Sequence, residues 1–382
     1  MEVLIIGKPA VNVYMPLVEY PQEGDVFTIT GRNESVGSVS AVSACLLAKW
    51  GIKPHYTGVV GNDAYGEKIR NTFSEYKVNS KFMETNFEHG TATNYFILNT
   101  KSGIVTKILY NDPNVELEKY KYDFQPDWAI MDGTDTAGAM ALINNDGKVK
   151  TVFYARKADN NTVVLASKSK YVVCTQAYAE VLTKFKPEDS AESYVELYQK
   201  IVDSTGKNNV IVILNSRKIL YSEQNKVKLL PEMKINISDS SSFDSVFTGS
   251  LTYALMAELK LDEAIKFANT AAAISLTKIG EEPAIPTLDE VFDNSGLRDR
   301  FKSYQPTQQP EATQETQEAQ PEQASEAPAQ PSAFDQQPVQ AETQTAPVQP
   351  EPVPEASAPE APAQPVEPVV QEPQHEDTNI FG

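Results

Sequence analysis

The chain has 382 residues, with 33 Lys and Arg against 52 Asp and Glu, for a formal net charge of −19. All 33 basic residues but only 38 of the acidic ones fall in residues 1–303, so the body is nearly balanced and the acidity belongs to the last stretch. That balance excludes a nucleic-acid binder, which needs a basic face, and no apolar run approaches the ~18 residues of a membrane span.

The opening residues, Met1-Glu-Val-Leu-Ile-Ile-Gly7, read as a first strand ending at a glycine. They carry no basic segment and too short an apolar run for a secretion signal, so a cytoplasmic location is expected. Further strand candidates follow at Tyr56–Val60, Trp128–Met131, Lys150–Tyr154, Tyr171–Cys174 and Val210–Leu214. Several are continuous apolar runs, as in strands covered on both faces. Helical periodicity falls between them, at Ser40–Trp50, Ala64–Tyr76, Ala177–Lys184, Ala191–Asp203, Asp244–Leu259 and Leu261–Leu276. This alternation predicts an α/β fold with a doubly wound, mostly parallel sheet. Residues 11–31 and 91–110 carry shorter alternating patterns with no helix between, and read as antiparallel ribbons of a small β element standing off that sheet. Cys45 and Cys174 lie in apolar stretches, as buried free thiols do. His55, His89 and His375 are too few and too scattered for a metal site.

Residues 304–382 differ in kind. They hold no Lys or Arg, 15 of the 25 prolines, 16 glutamines and 14 acidic residues. So few large apolar side chains cannot offset the entropy of ordering the chain, and the prolines favour extended segments. The expected division is a folded domain at 1–303 and a disordered Pro/Glu/Gln/Ala-rich tail at 304–382. Near its end, Ile380 and Phe381 admit two readings: a docking peptide for a protein partner, or an accident in a solubilising tail.

In open α/β sheets, ligands bind beyond the carboxyl ends of the strands. The most informative candidate there is Ser238-Asp-Ser-Ser-Ser-Phe-Asp244-Ser-Val-Phe247-Thr-Gly249, a polar loop opening into an apolar-periodic helix. Small hydroxyl residues leave amides free to face an anion, and the helix end adds partial positive charge. Asp244 either takes the proton of a hydroxyl that attacks a phosphate or, like Ser242, caps the helix.

Three segments taken together resemble the ribokinase-like, or phosphofructokinase-B-type, carbohydrate kinases over residues 1–300. Gly58-Val-Val-Gly61-Asn-Asp63-Ala-Tyr-Gly66 is similar to that family's G-x-V-G-x-D-x-F-G segment. Asn269-Thr-Ala-Ala-Ala-Ile-Ser-Leu-Thr-Lys-Ile-Gly280, followed by Pro283-Ala-Ile-Pro286, is close to its C-terminal helix and strand. Ser238–Gly249 aligns with the signature D-T-x-G-A-G-D-x-F-x-G. The resemblance implies a central α/β domain with a β-sheet lid (here within 11–31 and 91–110), through which members often pair as homodimers. It also implies γ-phosphoryl transfer from Mg-ATP to a sugar or nucleoside hydroxyl, often with a monovalent cation. By the same resemblance Asp244 is the base and the amides of Ser241, Ser242 and Phe243 form the anion hole. Asn215, Asn269 and Gly280 would flank the nucleotide, and Asn12 and Gly37 the sugar; no protein metal ligand is assigned.

The site motifs depart from the family's. Ser241-Ser242-Phe243 stands for G-A-G, Ile213-Leu214-Asn215-Ser216-Arg217-Lys218 for T-L-G-x-x-G, and Thr175-Gln-Ala-Tyr178 for the N-x-x-E that organises Mg²⁺. Gly37-Ser38-Val39-Ser40-Ala41-Val42 stands for G-G-K-G-A-N, and Asn12 for an aspartate. A valine cannot hydrogen-bond a sugar hydroxyl, and a phenol is a poor magnesium ligand. The expectation is a carbohydrate kinase with impaired catalysis. The alternative is a kinase-like scaffold that has lost turnover and tethers a partner by its tail.

Overall fold

The computed structural model describes residues 1–304 apart from 30, 111–114, 116, 118–119, 121, 146 and 303, and these residues fall in one compact unit. The expectations for the tail lie outside the described residues. In chain order the strands are β1 (Val3–Ile6), β2 (Ala10–Leu17), β3 (Asn33–Gly37), β4 (His55–Gly61), β5 (Asn79–Asn86), β6 (Ala92–Asn99) and β7 (Val105–Tyr110). Then come β8 (Trp128–Met131), β9 (Lys150–Ala155), β10 (Tyr171–Thr175), β11 (Val210–Ile213), β12 (Ile219–Glu223) and β13 (Lys226–Leu230).

The main sheet runs β13-β12-β11-β10-β9-β8-β1-β4-β5. It is parallel from β5 through β11 and ends in the antiparallel hairpin β12–β13. Its inner strands, such as β1, β8 and β11, are apolar because helices cover both faces. Alternation along each strand sends Val3, Ile5, Ile130 and Val152 to one core and Leu4, Ile6, Ala129 and Phe153 to the other. The first core packs against the helices Val39–Lys49, Phe243–Met256 and Leu261–Ser275; the second packs against Thr136–Asn145, Asn160–Lys168, Gln176–Thr183 and Ala191–Thr205. Cys45 and Cys174 are buried free thiols, one in each core.

The lid is a four-stranded sheet, β3-β2-β6-β7. It differs in detail from the two expected ribbons. Among the described residues no strand follows β2 until Asn33, and the antiparallel partner of β2 is 33–37. The two ribbons, β2–β3 and β6–β7, are each antiparallel, but they join side by side through a parallel β2–β6 pair. Both inner strands leave the main sheet in the same direction, which makes that junction parallel.

One helix sets the site. In Phe243–Met256 every residue is buried except Asp244. The helix is wedged between Val39–Lys49 and Leu261–Ser275, and Gly249 permits the first contact, since a Cβ there would press on Ser43 Cα.

Candidate functional site

Asp244 lies in the first turn of that central helix, and no side chain caps the helix end. Ser242 Oγ pairs instead with Ser275 Oγ at 2.8 Å. The Asp244 carboxylate accepts a 2.6 Å hydrogen bond from the hydroxyl of Tyr154, which stands near the carboxyl end of β9. Burial, and then the Asp244 charge, push the Tyr154 phenol well above its ordinary range, so it stays protonated and donates.

Asp244 opens onto a cavity of about 230 Å³ between the lid and the strand ends. Asn94, Phe96, Lys107 and Leu109 line it from the lid, Lys8, Asp132, Tyr154 and Arg156 from the main-sheet side, and Glu281 from beyond the helix Leu261–Ser275. A second chamber of about 370 Å³ adjoins it, sharing Lys8, Asp132, Thr134, Tyr154 and Arg156. Asp132 is pinned by the Ser40 amide at 3.0 Å and the Thr134 amide at 3.1 Å. Gly7 makes room for it, since a Cβ there would collide with Ser40 and Asp132.

The serine-rich loop before the helix is laced to both sides. Buried Asp239 accepts from the Ser241 amide at 2.7 Å and the Gly280 amide at 2.8 Å. Gly280 sits at φ +97°, a backbone conformation that favours glycine. On the lid side, the Ser240 amide donates to Gly103 O at 2.8 Å, and Ser240 Oγ accepts from the Val105 amide at 3.1 Å. Ser241 O accepts from Lys107 Nζ at 3.0 Å, and Ser241 Oγ and the Tyr14 hydroxyl share a bond of 3.0 Å. The Ser241 hydroxyl therefore makes a bond that a glycine at that position of the resembling motif could not. The cost is that Ser241's own amide turns to Asp239, which leaves the first-turn amides from Ser242 onward as the ones without intrahelical acceptors. Phe243 does not crowd the cavity; its ring is buried and stacks on Phe247.

In the lid sheet, Asn12 is fully buried. It accepts from Asn94 Nδ2 at 2.8 Å and fills the space that a Cβ on Gly37 would need. Asn94, not Asn12, reaches the cavity wall, and Val39 lines it where the family has a lysine, while Val42 packs into the core. On the other flank, the Asn215 amide donates to Gln176 Oε1 at 3.0 Å within a tight turn between β11 and β12. Arg217 pairs with Glu232 and Lys218 with Asp189 across that turn. Asn269 is buried in its helix. Tyr178, where the family carries its magnesium-organising carboxylate, is buried with its hydroxyl unpartnered among the described residues. These residues do not fit a protein-held magnesium ion, and no group of three His, Cys, Asp or Glu suited to a metal occurs among the described residues.

The residues missed in the sequence share one trait: Lys8, Lys107, Tyr154 and Glu281 come from segments far apart in the chain. Tyr154 alone had a usable signal, a polar tip near the carboxyl end of a predicted strand.

The pattern described as pfkB family carbohydrate kinase matches residues 12–288. The chain belongs to that family. Among curated relatives, the ribokinase of Haemophilus influenzae is 26% identical over 280 residues, covering 70% of this chain and 90% of that protein. The Bacillus subtilis ribokinase is 23% identical over 300 residues, covering 76% and 97%. Among solved structures, Thermotoga maritima ribokinase superposes with a TM-score of 0.64 at 21% identity, covering 76% of this chain and 98% of its own. Arabidopsis thaliana ribokinase, solved with ribose and ATP, gives 0.62 at 16% identity, covering 77% and 98%. The fold is thus the ribokinase-like one, a mostly parallel sheet with a small β-sheet lid.

Proposed function

We propose that this family member is an ATP-dependent kinase that phosphorylates a hydroxyl of a sugar or nucleoside held between the lid and the strand ends. The observation that carries the reading is Asp244. In a helix otherwise wholly buried, the one side chain left partly exposed is a carboxylate, and it lines the cavity. Core packing alone would not select an acid there, since burying an unneeded charge is costly.

Asp244 takes the proton of the acceptor hydroxyl as that oxygen bonds to the γ-phosphorus. The bond from phosphorus to the bridging oxygen of ADP breaks, and the leaving oxygen carries its electrons away. The amides of Ser242 and Phe243, at the positive end of the helix dipole, face the charge on the transferring group. Asn94 offers the acceptor an amide in place of the buried Asn12. The nucleotide lies on the flank of Asn215, Asn269 and Gly280. Magnesium accompanies ATP in this reaction class, and neither it nor a monovalent cation is assigned a protein ligand here.

A second part of the reading is assembly. Alternation on the lid turns Lys107 and Leu109 inward, leaving Ile108 and Tyr110 on the outer face, where Tyr95 stands opposite Ile108. All three are exposed. We propose that a second copy covers this face.

The test is ADP release with Mg-ATP across a panel of pentoses, hexoses and nucleosides. Turnover that falls by about 10²–10⁴-fold in Asp244→Asn supports the reading. No Asp244-dependent turnover with any acceptor overturns it.

A further inference from the structure

We propose that Tyr154 is a positioning residue for phosphoryl transfer, orienting the Asp244 carboxylate through one oxygen so that the other meets the acceptor hydroxyl. This rests on the kinase reading above.

Three observations carry it. First, the bond is short and specific: the Tyr154 hydroxyl lies 2.6 Å from Asp244 Oδ2. Second, the ring is anchored. Tyr154 is buried in the same core as Val246 and Phe247 of the helix that bears Asp244, so sheet and helix fix the hydroxyl from both sides. Third, the helix gives Asp244 little other restraint. No capping bond involves its side chain, and its backbone carbonyl is what Thr248 Oγ1 engages. An aspartate in a first turn, facing a cavity, otherwise chooses among staggered rotamers. Donation to Oδ2 selects one of them before substrate arrives, the kind of preorganisation that proton transfer rewards. A phenol suits the task because it donates and stays protonated, and it does not compete for the proton of the acceptor.

A purely structural tyrosine would behave differently. Its ring would matter and its oxygen would not. Tyr154→Phe keeps the ring and removes the oxygen alone, so the variant separates the two roles. The expected result is a kcat lowered by about 10-fold to 100-fold, with KM for acceptor and for Mg-ATP within about twofold and an unchanged circular dichroism spectrum. Tyr154→Leu, which also removes the ring, should lower the folded fraction as well.

A second readout needs no turnover. With tyrosines labelled at Cζ, the carbon signal absent from Tyr154→Phe identifies Tyr154, and it should move in Asp244→Asn. A kcat unchanged in Tyr154→Phe overturns the proposal while leaving the kinase reading intact, and so does a Tyr154 signal indifferent to Asp244→Asn. A wild-type chain without Asp244-dependent turnover overturns both.

Discussion

Lys107 Nζ reaches from the lid to within 3.2 Å of Glu281, a buried carboxylate in the cavity wall, while also donating to the Ser241 carbonyl. Burial lifts the Glu281 carboxyl above its ordinary range, and Lys107 offsets part of that shift. A raised native value has a definite sign: the stabilisation is complete below the unfolded carboxyl's range and is lost as pH rises through the native value. Glu281→Gln cannot ionise and escapes this loss. Relative to wild type, the variant should gain stability as pH rises from about 4 to about 7. Urea unfolding at both pH values measures it, and a difference independent of pH would refute the burial argument.

Asp239 tests the loop. Its carboxylate holds two amides, those of Ser241 and Gly280, in a fully buried place. Asp239→Ala strands both donors and should cost about 2–4 kcal/mol. Asp239→Asn retains one acceptor oxygen and should cost less. Chemical denaturation ranks the pair, and equal losses would show that the two bonds contribute little.

Gly37 tests the lid. A methyl group there overlaps the Asn12 carboxamide, which is fully buried and held by Asn94. Overpacking of this kind costs about 1–3 kcal/mol. Gly37→Ala should therefore lower the unfolding temperature by several degrees and raise KM for the acceptor, because Asn94 moves with Asn12. A variant of wild-type stability would mean that Asn12 relaxes freely.

The outer lid face is tested by Ile108→Glu. A charge placed opposite Tyr95 disfavours burial of that face against a second copy. Light scattering coupled to size exclusion should show wild type as a dimer at micromolar concentration and the variant as a monomer. A monomeric wild type refutes the pairing.

Much of the fold was legible because its parallel strands are covered twice. Val3–Ile6 and Trp128–Met131 stand out as uninterrupted apolar runs, and the structure ends them at those residues. The hairpin Ile219–Glu223 with Lys226–Leu230 was not legible, since an edge hairpin carrying Lys226 and Lys228 looks like a polar turn. Asp244 could be singled out because its signal is local, a serine-rich loop entering an apolar helix. Its partner could not. Tyr154 lies 90 positions away and is brought to Asp244 only by tertiary packing. The serines of this loop also made no sense from sequence, because the groups that the Ser240 and Ser241 hydroxyls bind, the Val105 amide and the Tyr14 hydroxyl, belong to the lid.

The central helix divides its residues between two kinds of consequence. At every position but one, a disruptive substitution has to be absorbed by packed neighbours and should show first as a smaller yield of folded chain. At position 244 the same substitutions meet open space, so the amount of protein in a cell should hold steady while its chemistry stops. A saturating scan that scored abundance and growth on the acceptor separately would see the two traces part at a single codon.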